Sequence, residues 1–403
     1  MQRIVVLGAG FAGLWCAIGA ARKLDELGIG PDRVELTVVD RSPWHSIRVR
    51  NYEADLAQTR VPLDEVLRPI GVARVQAEVT GIDFARREIL CESRAALPYD
   101  RLVFALGSRL ARPPIPGLEA HAFDVDTYDA GSRLNAHIAA LPSREPSPGQ
   151  WTALVIGGGL TGIEAAAEMP GKLRAVLNGG PGAPRVIIAD RQPWIGSDMG
   201  EEARAVIGGA LLSLGVEPRP GVSVAAIDAD GATLATGERI AAATVVWCAG
   251  LQADPLTARF PVERDRFGRV PVDRFLKVKG MAAEFATGDA AWFLIDGEHS
   301  CVMSCQHGRP MGRFAGHNVV CDLLGLPMLP LEIARYSTIL DLGPWGAVCT
   351  AGWDRRVEVT GAAAKRTKNM INRERIYPPR SGDRREILDA AAPVIQAPAP
   401  FFR

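Results

Sequence analysis

The chain lacks any apolar run of the roughly 18–20 residues needed to cross a bilayer, so no membrane-spanning helix is expected. It also lacks net charge, since 46 Lys and Arg balance 46 Asp and Glu. Dedicated nucleic-acid binders carry a clear basic excess, so no nucleic-acid partner is expected. Seven scattered cysteines (16, 91, 248, 301, 305, 321 and 349) are odd in number and form no disulfide framework. They suit a reducing, cytoplasmic setting. No His, Cys or acidic cluster has zinc-like spacing, so no metal is expected. The segment from Met1 to Leu7 lacks the charged and hydrophobic regions of a signal peptide and reads as a first strand. What the chain does have is length and glycine. Its 403 residues suggest two or three domains, and 42 glycines suit an α/β protein with many tight strand-to-helix turns.

One phosphate-binding turn occurs twice. The apolar run from Arg3 to Leu7 leads into Gly8-Ala9-Gly10-Phe11-Ala12-Gly13, then a helical stretch, then a strand ending in Asp40. In a G-x-G-x-x-G turn the first glycine bends tightly, the second admits a pyrophosphate and the third packs helix on strand. The helix N-terminus supplies N–H groups and a positive dipole end. Asp40, 27 residues after Gly13, is placed to accept from ribose hydroxyls, with Arg41 and His45 just beyond. The second copy runs from Trp151 to Ile156, then Gly157-Gly158-Gly159-Leu160-Thr161-Gly162, and its next strand ends in Asp190. Each copy has an echo: Ala105 and Gly107 close one apolar strand, Gly250 another. The pattern predicts two tandem Rossmann-like units. Asp190 disfavours a 2′-phosphate and Arg191 favours one. The balance predicts NADH over NADPH.

A third segment orders the two sites. The strand Glu284-Phe-Ala-Thr ends in Gly288-Asp289, which resembles the flavin-domain motif of the two-dinucleotide-binding-domain flavoproteins, the pyridine nucleotide-disulfide oxidoreductase superfamily. The resemblance covers about residues 1–325. It implies that Gly8 to Asp40, with Gly288 and Asp289, hold FAD, and that Gly157 to Asp190 hold NAD(P)H. It further implies a discontinuous FAD domain (1–115 and 253–330), an inserted nucleotide domain (116–252) and a C-terminal α+β domain (331–403) for dimer or membrane contact. Disulfide reductases of this superfamily carry a cysteine pair, but the stretch from Arg41 to Arg50 has none and residues 116–247 have no cysteine. The remaining resemblance is to type II NADH dehydrogenases (NADH:quinone oxidoreductases). It implies hydride transfer from NADH to flavin and then electrons to a second acceptor.

The acceptor stays open at this point. The group has Ala-Gln and a second Gln four residues on, where this chain has Cys305-Gln306 and Pro310. Arg48 and Arg50, if strand-like, share a face suited to a polar or anionic acceptor rather than a quinone. Oxygen as acceptor, and a slow NADH-sensing role through a protein partner, are the other readings. Glu164, read in the first turn of its helix, is the candidate carboxylate beside the flavin–nicotinamide contact. Gln306 and His307 are candidates to face the flavin ring, with His307 as a proton donor. Cys301 and Cys305, four apart, are expected on one helical face. Residues 336–353 read as a hairpin about Gly343-Pro344. From Arg355 to Arg385 ten basic residues stand against three acidic ones, a surplus of seven that suits either an anionic lipid surface or a solvated face. The tail carries Phe401-Phe402 just before Arg403, a candidate arm for a homo-oligomer or peripheral membrane contact.

Overall fold

A computed structural model describes residues 1–401; Phe402 of the expected terminal pair lies outside them. Two parallel sheets organise the chain. The first has the order Glu284–Ala286, Arg101–Phe104, Gln2–Leu7, Val34–Asp40 and Ala73–Gln76, all parallel. The second has the order Val216–Arg219, Arg185–Ala189, Thr152–Ile156 and Thr244–Trp247, again parallel. Strands buried on both faces need continuous apolar sequence, and Ile4 to Leu7 and Ala153 to Ile156 supply it.

The two units repeat nearly atom for atom. Gly8 N–H donates to the Val39 carbonyl and Gly157 N–H to that of Ala189, both at 2.8 Å. Leu14 N–H meets the Gly10 carbonyl and Ile163 N–H that of Gly159, both at 3.0 Å. The chain leaves the first sheet through Ser108–Leu110 and returns through Leu251–Ala253, and these two strands pair antiparallel. Arg109 binds Asp254 at 2.7 Å across that crossover.

Helix Phe11–Glu26 is buried on nearly every side because helix Cys305–Leu323 covers the face turned away from the sheet. The two approach at glycine. A Cβ on Gly312 would lie 2.3 Å from the Ala12 carbonyl oxygen, and one on Gly316 2.1 Å from that of Cys16. Side-chain-free contact of this kind leaves no room for repacking.

The C-terminal part holds the expected hairpin, Ser337–Asp341 with Ala347–Ala351, and adds a third strand, Arg356–Thr360. Helix Gly361–Met370 and a π-helical turn, Ile371–Arg375, follow. This sheet packs on helix Leu160–Leu177, while Ile387 and Leu388 of helix Arg384–Ala390 join the core of the first sheet. Most of the basic stretch is bound internally: Arg384 pairs with Asp25 at 2.7 Å, Arg380 with Glu65 at 3.4 Å, and Lys365 with Asp341. Among the described residues no helix is long and apolar enough to cross a membrane, and no three His, Cys, Asp or Glu side chains gather as a metal site.

Candidate functional site

A single cavity of about 2020 Å³ runs between the carboxyl ends of the two sheets. Drug-sized pockets span roughly 300–1,000 Å³, so this one has room for more than one ligand. Gly8, Gly10, Phe11 and Ala12 line one end; Gly159, Leu160 and Thr161 line the other. The glycines divide by task. A Cβ on Gly13 would sit 1.9 Å from the Gly8 carbonyl oxygen, and one on Gly162 1.8 Å from that of Gly157, so these two fix helix against loop. A Cβ on Gly10 or Gly159 would meet no protein atom within 4 Å. Those two positions therefore leave open space above a helix N-terminus, a fit to a pyrophosphate in each unit.

Asp40 braces its own loop. Its two carboxylate oxygens accept from Ala9 N–H at 2.6 Å and Ser42 N–H at 2.7 Å, and burial pushes its carboxyl up. Asp190 repeats the arrangement with Gly158 N–H and, at 2.7 Å, Gln192 N–H. Each carboxylate thus spends one lone pair per oxygen on its own loop. Gly157, Asp190 and Arg191 lie outside the cavity wall; Arg191 is exposed. His45 is fully buried, its Nδ1 2.8 Å from the Ala9 carbonyl, and burial pushes it down to about 4. It is neutral and holds the loop under Phe11, whose ring meets it edge-on at 5.2 Å.

Across the cavity floor, Ser108 donates to Asp289 at 2.7 Å and Arg48 donates to Ser108 Oγ at 2.8 Å. Arg48 also grips Asp126 and lies 3.9 Å from Asp289. Ala105 and Gly107 border this polar chain, and Gly288 adopts φ +70 against Ala12. The expected strand-like Arg48/Arg50 face is not formed. Arg48–Arg50 is a 3-10 turn. Arg50 turns away to Glu53 at 2.6 Å and the Tyr377 hydroxyl at 2.7 Å. Arg48 stays in the cavity wall, engaged by Ser108 and Asp126, while Arg50 is buried against Glu53, so the two share no face.

Glu164 is the fifth residue of helix Leu160–Leu177, so it lies in the second turn, not the first. The helix starts inside the glycine motif, which the sequence reading placed ahead of it. Glu164 lines the cavity, buried, and accepts from Lys368 Nζ at 2.7 Å and Asp341 N–H at 3.1 Å. Burial raises its carboxyl, opposed by Lys368. Burial works against the Lys368 charge, but Glu164 and Asp341 outweigh it and hold the ammonium above its ordinary value. Asp341 in turn binds Lys365. Neither Lys368 nor Asp341 is marked by any sequence motif; they arrive from 204 and 177 residues downstream.

Gln306 lines the cavity at the start of helix Cys305–Leu323, its carboxamide set to donate to the Ser337 carbonyl at 2.6 Å and accept from its N–H at 3.3 Å. His307 does not line the cavity. It is buried, accepts from Val302 N–H at Nδ1 (2.9 Å), and is pushed down to about 4 by burial. Its ring faces Tyr336 and Trp353. A neutral, enclosed imidazole there cannot donate a proton into the cavity, which corrects the expected role. Cys301 and Cys305 both line the cavity but not one helical face, because the helix begins at Cys305. Both are free thiols raised by burial, which disfavours the reactive thiolate.

Residues 2–312 match the family model described as pyridine nucleotide-disulphide oxidoreductase. An NADH dehydrogenase-like protein of Mycobacterium tuberculosis is 55% identical over 98% of this chain and 99% of its own. A type II NADH:quinone oxidoreductase of Staphylococcus haemolyticus is 24% identical over 93% of this chain and 95% of its own. The structure of NDH2 from Plasmodium falciparum in complex with NADH superposes with a TM-score of 0.77 at 13% identity, covering all of both chains. The chain belongs to the pyridine nucleotide-disulphide oxidoreductase family, as an FAD-dependent oxidoreductase that takes its electrons from NADH.

Proposed function

We propose that the protein is an NADH:quinone oxidoreductase in which the two cradles serve the two dinucleotides named by the sequence reading. Gly8, Gly10, Phe11, Ala12, Asp40, Gly288 and Asp289 hold FAD, and Gly159, Leu160, Thr161, Asp190 and Gly250 hold NADH, with Gly13, Gly157 and Gly162 packing each helix against its loop. A flavin held there would supply an acceptor for hydride from nicotinamide and a donor of those electrons to a second substrate. The observation that carries the reading is the one cavity joining two open helix N-termini, with Glu164, Cys305 and Gln306 in its wall.

The chain's own part is positioning, which can supply several kcal/mol toward a transfer that needs no general acid. Glu164, fixed by Lys368 and the Asp341 backbone, presents a carboxylate at the junction of the cradles and orients the nicotinamide ring. Gln306, tied to Ser337, would help hold the flavin ring. The quinone enters beside Ile339, Leu340, Ile371 and Ile376, apolar residues of the C-terminal part that share the wall. The divisions 1–115 with 253–330, 116–252 and 331–403 belong to the same proposal. So do a homodimer and a peripheral position on the cytoplasmic membrane face, which the exposed Leu326, Leu329, Val394 and Ile395 support.

Anaerobic stopped-flow of the purified yellow protein tests this. NADH is expected to bleach the flavin, and a soluble quinone to restore it faster than oxygen does. Bleaching without a quinone step overturns the acceptor. A protein that retains no flavin overturns the whole reading.

A further inference from the structure

Helix Cys305–Leu323 carries Arg309 and Arg313 one turn apart, 7% and 1% exposed. Their guanidiniums lie 4.8 and 4.6 Å from the Trp15 ring centre. Among the described residues neither has a hydrogen-bond acceptor or a carboxylate in reach; Nε of Arg309 and Nε and Nη2 of Arg313 are enclosed and unpaired. Other buried cations of this chain are paired: Arg50 with Glu53, Arg269 with Asp265, Lys368 with Glu164, and Lys172 with the Asn135 carboxamide. A guanidinium offers five donors, and burying it without a partner is strongly unfavourable. Two such groups side by side call for an anion.

Both arginines line the cavity, with Arg375 of the π-helical turn beside them. Burial lowers Arg309 to about 10 and Arg313 to about 9, with Arg375 adding repulsion at each, so both are still cationic at neutral pH. His45, whose Nε2 is also enclosed and unpaired, is neutral and adds no counter-charge. The pyrophosphate cradles already have their donors in the loop N–H groups at Gly10 and Gly159. Arg313 is a further turn down the helix, and Arg375, whose charge acts on it, donates to the Ala397 carbonyl of the tail.

We infer that Arg309 and Arg313, flanked by Trp15 and Arg375, form a receptor for an acidic group, carboxylate or phosphate, carried by the electron acceptor. The inference rests on the proposed function, and refines its acceptor to a quinone-like ring bearing an acid. The arginine pair supplies forked donors to the acid, and Trp15 closes the rear of both guanidiniums.

The test uses flavin-loaded protein and two acceptors sharing one ring, 2-methyl-1,4-naphthoquinone with and without a short 3-carboxyalkyl chain. The acid is expected to show a KM at least about tenfold lower than the neutral quinone, the size of one charge-assisted hydrogen bond. Arg313→Met and Arg309→Met are expected to bring that ratio near one, and Arg313→Lys to restore part of it. Inorganic phosphate is expected to compete with the acid in the unsubstituted protein. Equal KM values for the two quinones in that protein overturn the inference. So does loss of FAD from a folded Arg309→Met or Arg313→Met protein, which would assign the pair to a cofactor phosphate. If neither methionine variant folds, competition by phosphate in the unsubstituted protein decides. Failure of NADH to bleach the flavin would sink the functional reading itself; bleaching without an acid preference sinks only the receptor.

Discussion

At the scale of single residues, the two glycine motifs separate folding from binding within six positions. Gly13 and Gly162 face a carbonyl oxygen under 2 Å from any added Cβ, whereas Gly10 and Gly159 face open cavity. Gly10→Val is therefore expected to give a folded protein with no flavin colour. Gly159→Val is expected to stay yellow and raise KM for NADH by roughly tenfold or more, the loss of one good phosphate contact. Gly13→Val and Gly162→Val are expected not to fold. Circular dichroism, flavin absorbance and NADH kinetics on the four variants check this; a yellow Gly10→Val protein with unchanged kinetics would contradict it. The motif letters are identical at all four positions. Which glycine answers to the fold and which to the ligand depends on what lies across the gap.

At the scale of elements, the register of helix Phe11–Glu26 on helix Cys305–Leu323 sets the cavity's back wall. Gly308, Gly312 and Gly316 recur every four residues, one stripe on one face. Gly316→Val places two further carbons beyond a Cβ already 2.1 Å from a backbone oxygen. It is expected to cost about 3 kcal/mol or more, the upper end of overpacking penalties. Denaturant unfolding would read this as a lower midpoint together with loss of flavin, since the same shift moves Cys305 and Gln306. Gly208→Ala, on a helix position where a Cβ meets nothing within 4 Å, is the control. The stripe stands in the sequence as a four-residue period. Its period marks a close helix contact without saying which helix is opposite.

At the scale of the whole molecule, two neutral histidines tie stability to pH. His45 and His307 are both buried, and burial takes each from 6.5 to about 4. Between those values the unfolded chain binds protons that the folded one refuses, so stability falls as pH drops from about 6.5 to about 4 and is fully present above 6.5. Each site contributes up to about 3 kcal/mol over that window. Urea midpoints measured from pH 7.5 to 4.5 are expected to decline, and His307→Phe to flatten part of the decline. A midpoint that is level or rises toward pH 4.5 would contradict this.

The sequence by itself determined the two nucleotide units. Their strands, glycine turns and closing acids are local, and local spacing dictates local hydrogen bonds: Asp40 and Asp190 brace the same loop atoms in both copies. Gly288-Asp289 was legible for the same reason, as a short strand ending at a sheet's carboxyl edge. Tertiary structure alone decided the rest of the wall. Lys368 reaches Glu164 across 204 positions, Asp126 and Glu53 separate Arg48 and Arg50 from the face expected of the two together, and His307 turns from the cavity to Tyr336. No motif marks Arg309 and Arg313 in the sequence, and only the fold, with Trp15 packed against both, makes them buried charges. A side chain's period tells which way it points along its own element. What it meets there is set by segments distant in the chain, and burial and partner charge, the quantities that decide chemistry, exist only after those segments have closed.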